Sequence, residues 1–244
     1  IRFATEIAGV PELGATGRGE HMEVGTYVEK TLSSELSGNI IDLCPVGALT
    51  SKPYAFNARP WELKKTESID VMDALGANIR VDTRGAEVLR IVPRNNDDVN
   101  EEWLSDKSRF ACDGLRRQRL DQPYIRQDGK LQAASWDEVF AAIAEKVKAT
   151  SGNKIAAIAG DQADCESMYA LKKLMESLDS TNIDCRQDGA AIGEGSRAGY
   201  LFNSTIAGIE EADAILIVGA NPRLESPVLN ARIRKRFLGG NVSI

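Results

Sequence analysis

From residue 123 to the end of the chain, helical patterns alternate with short apolar runs, and few architectures can absorb that alternation. "ASWDEVFAAIAEKVKA" carries Ala, Val, Phe and Ile at helical spacing. It opens on Ser135 as N-cap with Glu138 three residues on, the reciprocal start signal of a helix. "KIAAIAG" follows as an apolar strand pattern of the parallel-sheet kind, closed by glycine. "ADCESMYALKKLMESLDS" then sets Met168, Leu171, Leu174, Met175 and Leu178 along one side of a second helix. "ADAILIVGANP" reads as another buried strand ending in glycine. "SPVLNARIRKRFLGG" reads as a third helix, with Pro227 near its start and glycines at its end. An apolar strand buried on both faces needs helices on each side, so the pattern predicts a doubly wound α/β domain over 123–244.

Two other regions precede it. Residues 1–61 are rich in glycine and loops, with one amphipathic stretch around 28–36; Pro53, Pro60 and the charged "WELKKTES" read as a linker. Residues 67–120 contain "ANIRVDTRGAEVLRIVPR", which predicts a hairpin of strands 78–82 and 87–92 joined through Thr83, Arg84, Gly85 and Ala86. The acidic, turn-prone "NNDDVNEE" and the basic "GLRRQRLDQP" complete this region.

Composition narrows the function classes. At 43% hydrophobic and 27% charged, the chain is of ordinary globular type. A net charge of -6 and a pI near 5.1 argue against nucleic acid as the main partner, because phosphate binding requires a basic footprint. The apolar runs at 155–159 and 214–218 are strand-sized and far too short to cross a bilayer. "IRFATEIAG" lacks the basic start and apolar run of a secretory signal. Beginning at Ile1 and breaking off at "GGNVSI", the chain reads as an internal piece of a longer polypeptide.

The motifs that suggest chemistry are mostly weak. Gly193, Gly195 and Gly199 follow a GxGxxxG spacing with no strand leading in, which is a loop rather than a dinucleotide fingerprint. The turns at Gly160 and Gly219 sit at strand carboxyl ends, where α/β folds place ligands; tight turning explains the glycines equally well. His21, the single histidine, has no second ligand beside it and reads as a surface or packing residue. No nucleophile elbow is present. The run Arg232, Arg234, Lys235 and Arg236 reads as a solvated helix face or a contact with an acidic neighbour.

The four cysteines, Cys44, Cys112, Cys165 and Cys185, are too dispersed for a disulfide framework or a compact metal site. Only Cys44 has a suggestive setting: in "DLCPVGALT" it precedes proline in a glycine-containing turn. On spacing alone it is either a cluster ligand without its companions or a lone thiol.

Together "IRFATEIAG", "GRG…VGTYVEK" and "SELSGNIIDLCPVGALTSKPYAFNARPWELKKTESIDVMDALGANI" closely resemble the large iron–sulfur subunit of respiratory complex I, the enzyme called NADH–quinone oxidoreductase in bacteria. The likeness covers the whole chain and is densest up to Arg119. It implies that residues 1–61 are the C-terminal part of a ferredoxin-like [4Fe–4S] domain. Cys44 would be the fourth cluster ligand and cofactor-binding residue, with a C-x-x-C-x-x-C triplet lying before Ile1. Pro45 would fix the turn that aims the sulfur, and Val46 and Ala48 would keep water away from it. It also implies an electron relay from NADH and flavin toward quinone. Its partners would be the flavin/NADH-binding and quinone-side subunits of the peripheral arm, at the matrix or cytoplasmic face of the membrane and with no span of its own.

The resemblance extends to a departure. Molybdopterin oxidoreductases, and some bacterial forms of this large iron–sulfur subunit, carry four cluster cysteines in the region matching 67–120. The corresponding positions here are Asp70, Asp73, Ala77 and Ser105, none of them a thiolate. No cluster is expected there, and Cys112 lies too far past Ser105 to substitute. The α/β region resembles the molybdopterin-oxidoreductase half of the family, and without a neighbouring cluster no molybdopterin is expected in it. Its implied role is that of a scaffold. The rival readings are a molybdopterin-dependent oxidoreductase of the formate dehydrogenase kind, or a structural module with no redox role.

Overall fold

A computed structural model describes residues 1–26, 31–186, 189–193 and 195–244. They form two compact units: Ile1–Arg117 together with Phe202–Ile244, and Gln118–Leu201.

The first unit opens with a π-helical turn, Phe3–Ile7, and an antiparallel pair, β1 (Leu13–Thr16) and β2 (Glu23–Thr26). The expected amphipathic stretch around 28–36 begins outside the described residues, and its part at 31–36 carries no helix or strand. A short helix follows, α1 (Asn39–Leu43). A three-stranded antiparallel sheet comes next, built from β3 (Lys64–Ile69), β4 (Asn78–Arg84) and β5 (Glu87–Pro93) with β4 in the middle. Arg84 faces Glu87 across a two-residue turn in which Gly85 takes φ +61°, a backbone angle that side chains disfavour. The hairpin thus runs slightly further than its sequence pattern, with a bulge between Asp82 and Thr83. The last part of the stretch read as a linker, from Lys64 on, forms strand β3, paired from Lys64 opposite Thr83 to Ile69 opposite Asn78. All six of its side chains are exposed, so it has no apolar alternation by which to be read. A second short helix, α2 (Asp106–Phe110), starts on Ser105, whose side chain accepts a hydrogen bond from the Ser108 amide.

In the second unit β6 (Tyr124–Gln127) and β7 (Lys130–Ala133) form a hairpin. Helix α3 (Trp136–Lys148) begins with the anticipated capping box. The Ser135 amide donates to Glu138 at 2.7 Å and the Ser135 hydroxyl accepts from the Glu138 amide at 3.3 Å. Ser135→Ala should therefore cost about 1 kcal/mol, read as a lower thermal midpoint of this unit. The strand β8 (Ala157–Ile158), the helix α4 (Cys165–Ser177) and the strand β9 (Ile183–Asp184) complete a parallel β–α–β arrangement.

The last stretch, from Phe202, belongs with the first unit and carries α5 (Pro222–Glu225) and α6 (Pro227–Leu238). The run 214–218, expected as a buried strand, pairs among the described residues only at Ala214, parallel to Ser243; Leu216 is 88% and Val218 77% exposed. A parallel strand is covered only when neighbouring strands and helices flank it, and the described residues supply a single bridge. The basic run on α6 resolves toward acidic and carbonyl partners. Arg232 is buried against Glu210 at 2.6 Å and donates to the Asp97 carbonyl, and Lys235 bonds Glu101 at 2.6 Å.

One core joins distant parts of the sequence: Phe3, Leu36, Leu75, Ala77, Ile79, Leu104, Val228 and Ala231, with the Phe3 and Trp103 rings 4.9 Å apart. Next to it α1 and α2 lie side by side, joined by Asn39 to Leu104 and by Arg109 to Asp42, and Cys44 follows at the end of α1.

Candidate functional site

Cys44 stands at the C-terminal end of α1, its amide donating to the Ile41 carbonyl at 3.4 Å. Pro45 then turns the chain, and Gly47 adopts φ +68°. A Cβ on Gly47 would meet nothing within 4 Å, so the backbone angle and not crowding calls for glycine there. The turn returns the Leu49 amide to the Cys44 sulfur, at 3.4 Å. Hydrogen bonds from the Leu49 amide, then Val46, with smaller ones from Ala48 and Gly47, hold the Cys44 thiol below the ordinary cysteine range, against a weaker opposing effect of burial. An amide donating to the sulfur favours its anionic form, the form in which cysteine binds metal. Val46 is 80% exposed and Ala48 is exposed too, so among the described residues neither is packed into an apolar shelter around the turn.

Helix α1 is held by the segment leading into α2. The Asp106 carboxylate accepts from the Gly38 amide at 2.7 Å and from the Ser37 hydroxyl, while the Asp106 amide donates to the Glu35 carbonyl at 2.8 Å. Asn39, fully buried, donates to the carbonyls of Leu36 and Leu104 and accepts from the Leu104 amide at 3.0 Å. Arg109, only 6% exposed, donates to Asp42 at 2.6 Å and to the Asn39 side chain at 3.3 Å. A Cβ on Gly38 would lie 2.7 Å from both Cδ and Nε of Arg109, so only glycine allows this approach.

The other four positions singled out in the sequence also come together. Asp70 and Ser105 are buried, and Ala77 lies in the hydrophobic core. The Asp70 amide donates to the Ala77 carbonyl at 2.8 Å. The Ser108 hydroxyl donates to the Asp70 carboxylate and lies 2.8 Å from the Ser105 hydroxyl. Asp73 accepts from the Leu75 amide at 2.9 Å, and burial, reinforced by the nearby Asp70 charge, raises its carboxyl above the usual range. The polar side chains here are bonded to one another and to the backbone.

Cys112 is half-buried, and burial pushes its thiol up; Cys165 and Cys185 are exposed. No cluster of three or more His, Cys, Asp or Glu side chains suited to a metal occurs among the described residues. His21 ends an exposed 3-10 turn, Gly19–His21. Glu194 of the glycine-rich loop lies outside the described residues, and the turns at Gly160 and Gly219 have open space around them. Sequence reading did not find Gly38, Asn39, Asp106, Ser108 or Arg109. The one local trace was Ser105 ahead of Asp106 in "WLSDKSRF", a helix-start pattern.

Residues 1–50 match the model of the NADH-quinone oxidoreductase subunit 3 ferredoxin-like domain, and residues 63–113 that of the NADH-ubiquinone oxidoreductase NDSU1/NuoG-like 4Fe-4S domain. Residues 119–244 match the molybdopterin oxidoreductase family. Over its whole length the chain is 59% identical to the mitochondrial NADH-ubiquinone oxidoreductase 78 kDa subunit of Neurospora crassa. It is 56% identical, again over its whole length, to the counterpart of that protein in the NADH-quinone oxidoreductase of Rickettsia bellii. The chain belongs to the family of the large iron–sulfur subunit of NADH–quinone oxidoreductase. It spans 34% of the length of the Neurospora protein and 36% of the Rickettsia one, about a third of each. The mixed α/β architecture accords with membership in a family that joins ferredoxin-like and molybdopterin-oxidoreductase domains. Among the described residues, no helix of this family member is long and apolar enough to cross a membrane.

Proposed function

We propose that the chain is part of an electron-transfer subunit of NADH:quinone oxidoreductase in which Cys44 is the fourth thiolate of a [4Fe–4S] cluster. The observation that carries this reading is the Cys44 turn, where Pro45 and Gly47 bring the Leu49 amide back to donate to the sulfur at 3.4 Å. That donor set fits a thiolate ligand. The group formed by Asp70, Asp73, Ala77 and Ser105 does not fit a second cluster. It offers no thiolate, Ala77 is a core methyl group, and Asp70 and Ser105 are both bonded to Ser108. We read these as cluster positions that have lost their cysteines and closed over.

When bound, the cluster supplies one-electron transfer. The chain's own part is to aim the sulfur with Pro45 and Gly47 and to spread its negative charge over backbone amides, which eases reduction. NADH oxidation and quinone reduction fall to other subunits. The partners are accordingly the flavin/NADH-binding and quinone-side subunits of the peripheral arm, at the matrix or cytoplasmic face of an energy-transducing membrane.

The domain plan we propose assigns 1–61 to the end of a ferredoxin-like domain and 67–120 to a cluster-less domain. Residues 123–244 would begin a doubly wound scaffold. Each parallel pairing, β8–β9 in one unit and Ala214–Ser243 in the other, follows a passage through a helix, the repeating step from which such a fold is built. We assign no molybdopterin to it, because the adjoining domain has no ligands for the companion cluster.

In the full-length subunit assembled in its complex, Cys44→Ala should abolish one [4Fe–4S] paramagnetic resonance signal and remove about four iron atoms. An unchanged signal in that variant overturns the ligand assignment. The molybdopterin-dependent rival requires molybdenum, so stoichiometric molybdenum in the same preparation would favour it instead.

A further inference from the structure

We propose that buried Arg109, through its pairing with Asp42, is the positioning residue for Cys44 and sets the electrostatic potential at its sulfur. The inference rests on the reading of Cys44 as a cluster ligand and adds to it the group that acts behind that ligand.

Three observations carry it. The first is mechanical. Helix α1 ends in Cys44, and α1 is bound to α2 by Asp106 to Gly38 and Ser37, by Asn39 to Leu104, and by Arg109 to both Asn39 and Asp42. Gly38 allows the Arg109 side chain to lie directly against the α1 backbone, where a Cβ would stand 2.7 Å from Cδ and Nε. A short helix gripped at its first residue, at Asp42 and at the preceding turn has little freedom to rotate the cysteine that ends it.

The second observation is that the grip is itself anchored. On another side of α2, Ser105 and Ser108 are joined to each other and to Asp70. The closed-over group at Asp70 therefore serves a purpose. It fixes α2, and α2 fixes the segment that presents Cys44.

The third is electrostatic. Arg109 is nearly inaccessible to water, and its Nε has no hydrogen-bond partner, so its charge is balanced chiefly by Asp42 at 2.6 Å. Asp42 is two residues from Cys44. The Asp42 carboxylate is open to water but the guanidinium it balances is not, so unbalancing the pair leaves a poorly screened charge change near the sulfur. Loss of the guanidinium leaves a net negative charge there and disfavours an added electron. Loss of the Asp42 carboxylate leaves a net positive charge and favours it.

The test uses the full-length subunit in its assembled complex, with redox titration of the paramagnetic resonance signal that depends on Cys44. In Arg109→Gln the ratio of reduced to oxidised cluster at a fixed potential should fall about tenfold, equivalent to about 59 mV for one electron. Asp42→Asn should shift it the opposite way, and the double variant should return toward the parent. A merely structural role would not produce opposite signs from two halves of one pair. Unchanged potentials, or shifts in the same direction, overturn the inference. Should Arg109→Gln fail to accumulate, Asp42→Asn alone decides, and absence of its positive shift overturns the proposal. Cys44→Ala run in parallel separates the two claims: if the signal survives that substitution, the ligand reading fails, whereas its loss combined with unmoved potentials in the pair variants sinks the Arg109 role alone.

Discussion

Replacing Asp82 with asparagine is expected to lower the stability of its unit by about 3 kcal/mol, since breaking a buried ion pair strands its partners. Asp82 lies in the middle strand of the β3–β5 sheet with no exposed surface. Its carboxylate accepts from Nε of Arg80 at 2.8 Å and from Nε of Arg90 at 2.7 Å. An amide at this position presents a donor group where guanidinium donors already converge, and it leaves both positive charges without a counterion. Arg80 and Arg90 keep roughly a third and a quarter of their side-chain surface in water, which holds the cost to the lower end of the usual range. The effect should reach the turn beyond Cys44, because the Arg90 guanidinium also sits 4.6 Å from the centre of the Tyr54 ring. Urea denaturation gives the magnitude, and faster hydrogen exchange in β3–β5 locates it; an unchanged midpoint would contradict the assignment.

The same residue sets a pH dependence. Burial works to raise the Asp82 carboxyl, and the hydrogen bonds and charges of Arg80 and Arg90 outweigh it, so the net shift is downward. A carboxyl whose folded-state pKa lies below its unfolded value, about 3.9, stabilises the fold above that value. The contribution is lost as pH falls through the folded pKa. The parent should therefore lose stability progressively below about pH 4. Asp82→Asn should remove that component and flatten the acid limb.

Gly152→Ala should be as damaging to the second unit, by about 3 kcal/mol, the upper end for overpacking. A Cβ there would stand 1.9 Å from the Leu178 carbonyl oxygen and 2.9 Å from that of Asp179. These are backbone atoms at the end of α4, so no rotamer change can relieve the clash. Either the loop after α3 or the end of α4 must move. Movement of either strains the nearby bonds from Ser180 and Asn182 to the Ile155 carbonyl, which hold β8 and β9 in register. Loss of hydrogen-exchange protection at Ala157 and Ala159, whose amides donate to Asn182 and Asp184, is the local readout. Retained protection there would show that the loop absorbs the methyl group.

Helices α3, α4 and α6 were legible because each carries a local signal: a capping box at Ser135, an apolar stripe along α4, and proline and glycine bracketing α6. The β4–β5 hairpin was legible through Gly85. Strand β3 was not, since exposed side chains leave no period to read and its existence is a matter of backbone pairing with β4. The run 214–218 misled in the opposite direction. Its apolarity signals burial, but burial needs neighbours, and the described residues provide only the bridge to Ser243.

At the candidate site the division is sharper. "DLCPVGALT" by itself contained the thiol, the proline and the glycine needed to bend the chain around it, because a turn is built from adjacent residues. The absence of cysteine at Asp70, Asp73, Ala77 and Ser105 was equally plain in the letters. Only the tertiary structure decided that Asp70 and Ser105 meet at Ser108, and that Asp106 reaches Gly38 from 68 residues away. Arg109 in a charged stretch reads as surface. Its burial depends on a glycine and an aspartate far up the chain, beside a core drawn from widely separated segments. Local chemistry is written in neighbouring residues. The group that holds Cys44 in place is a product of long-range packing, which no local period encodes.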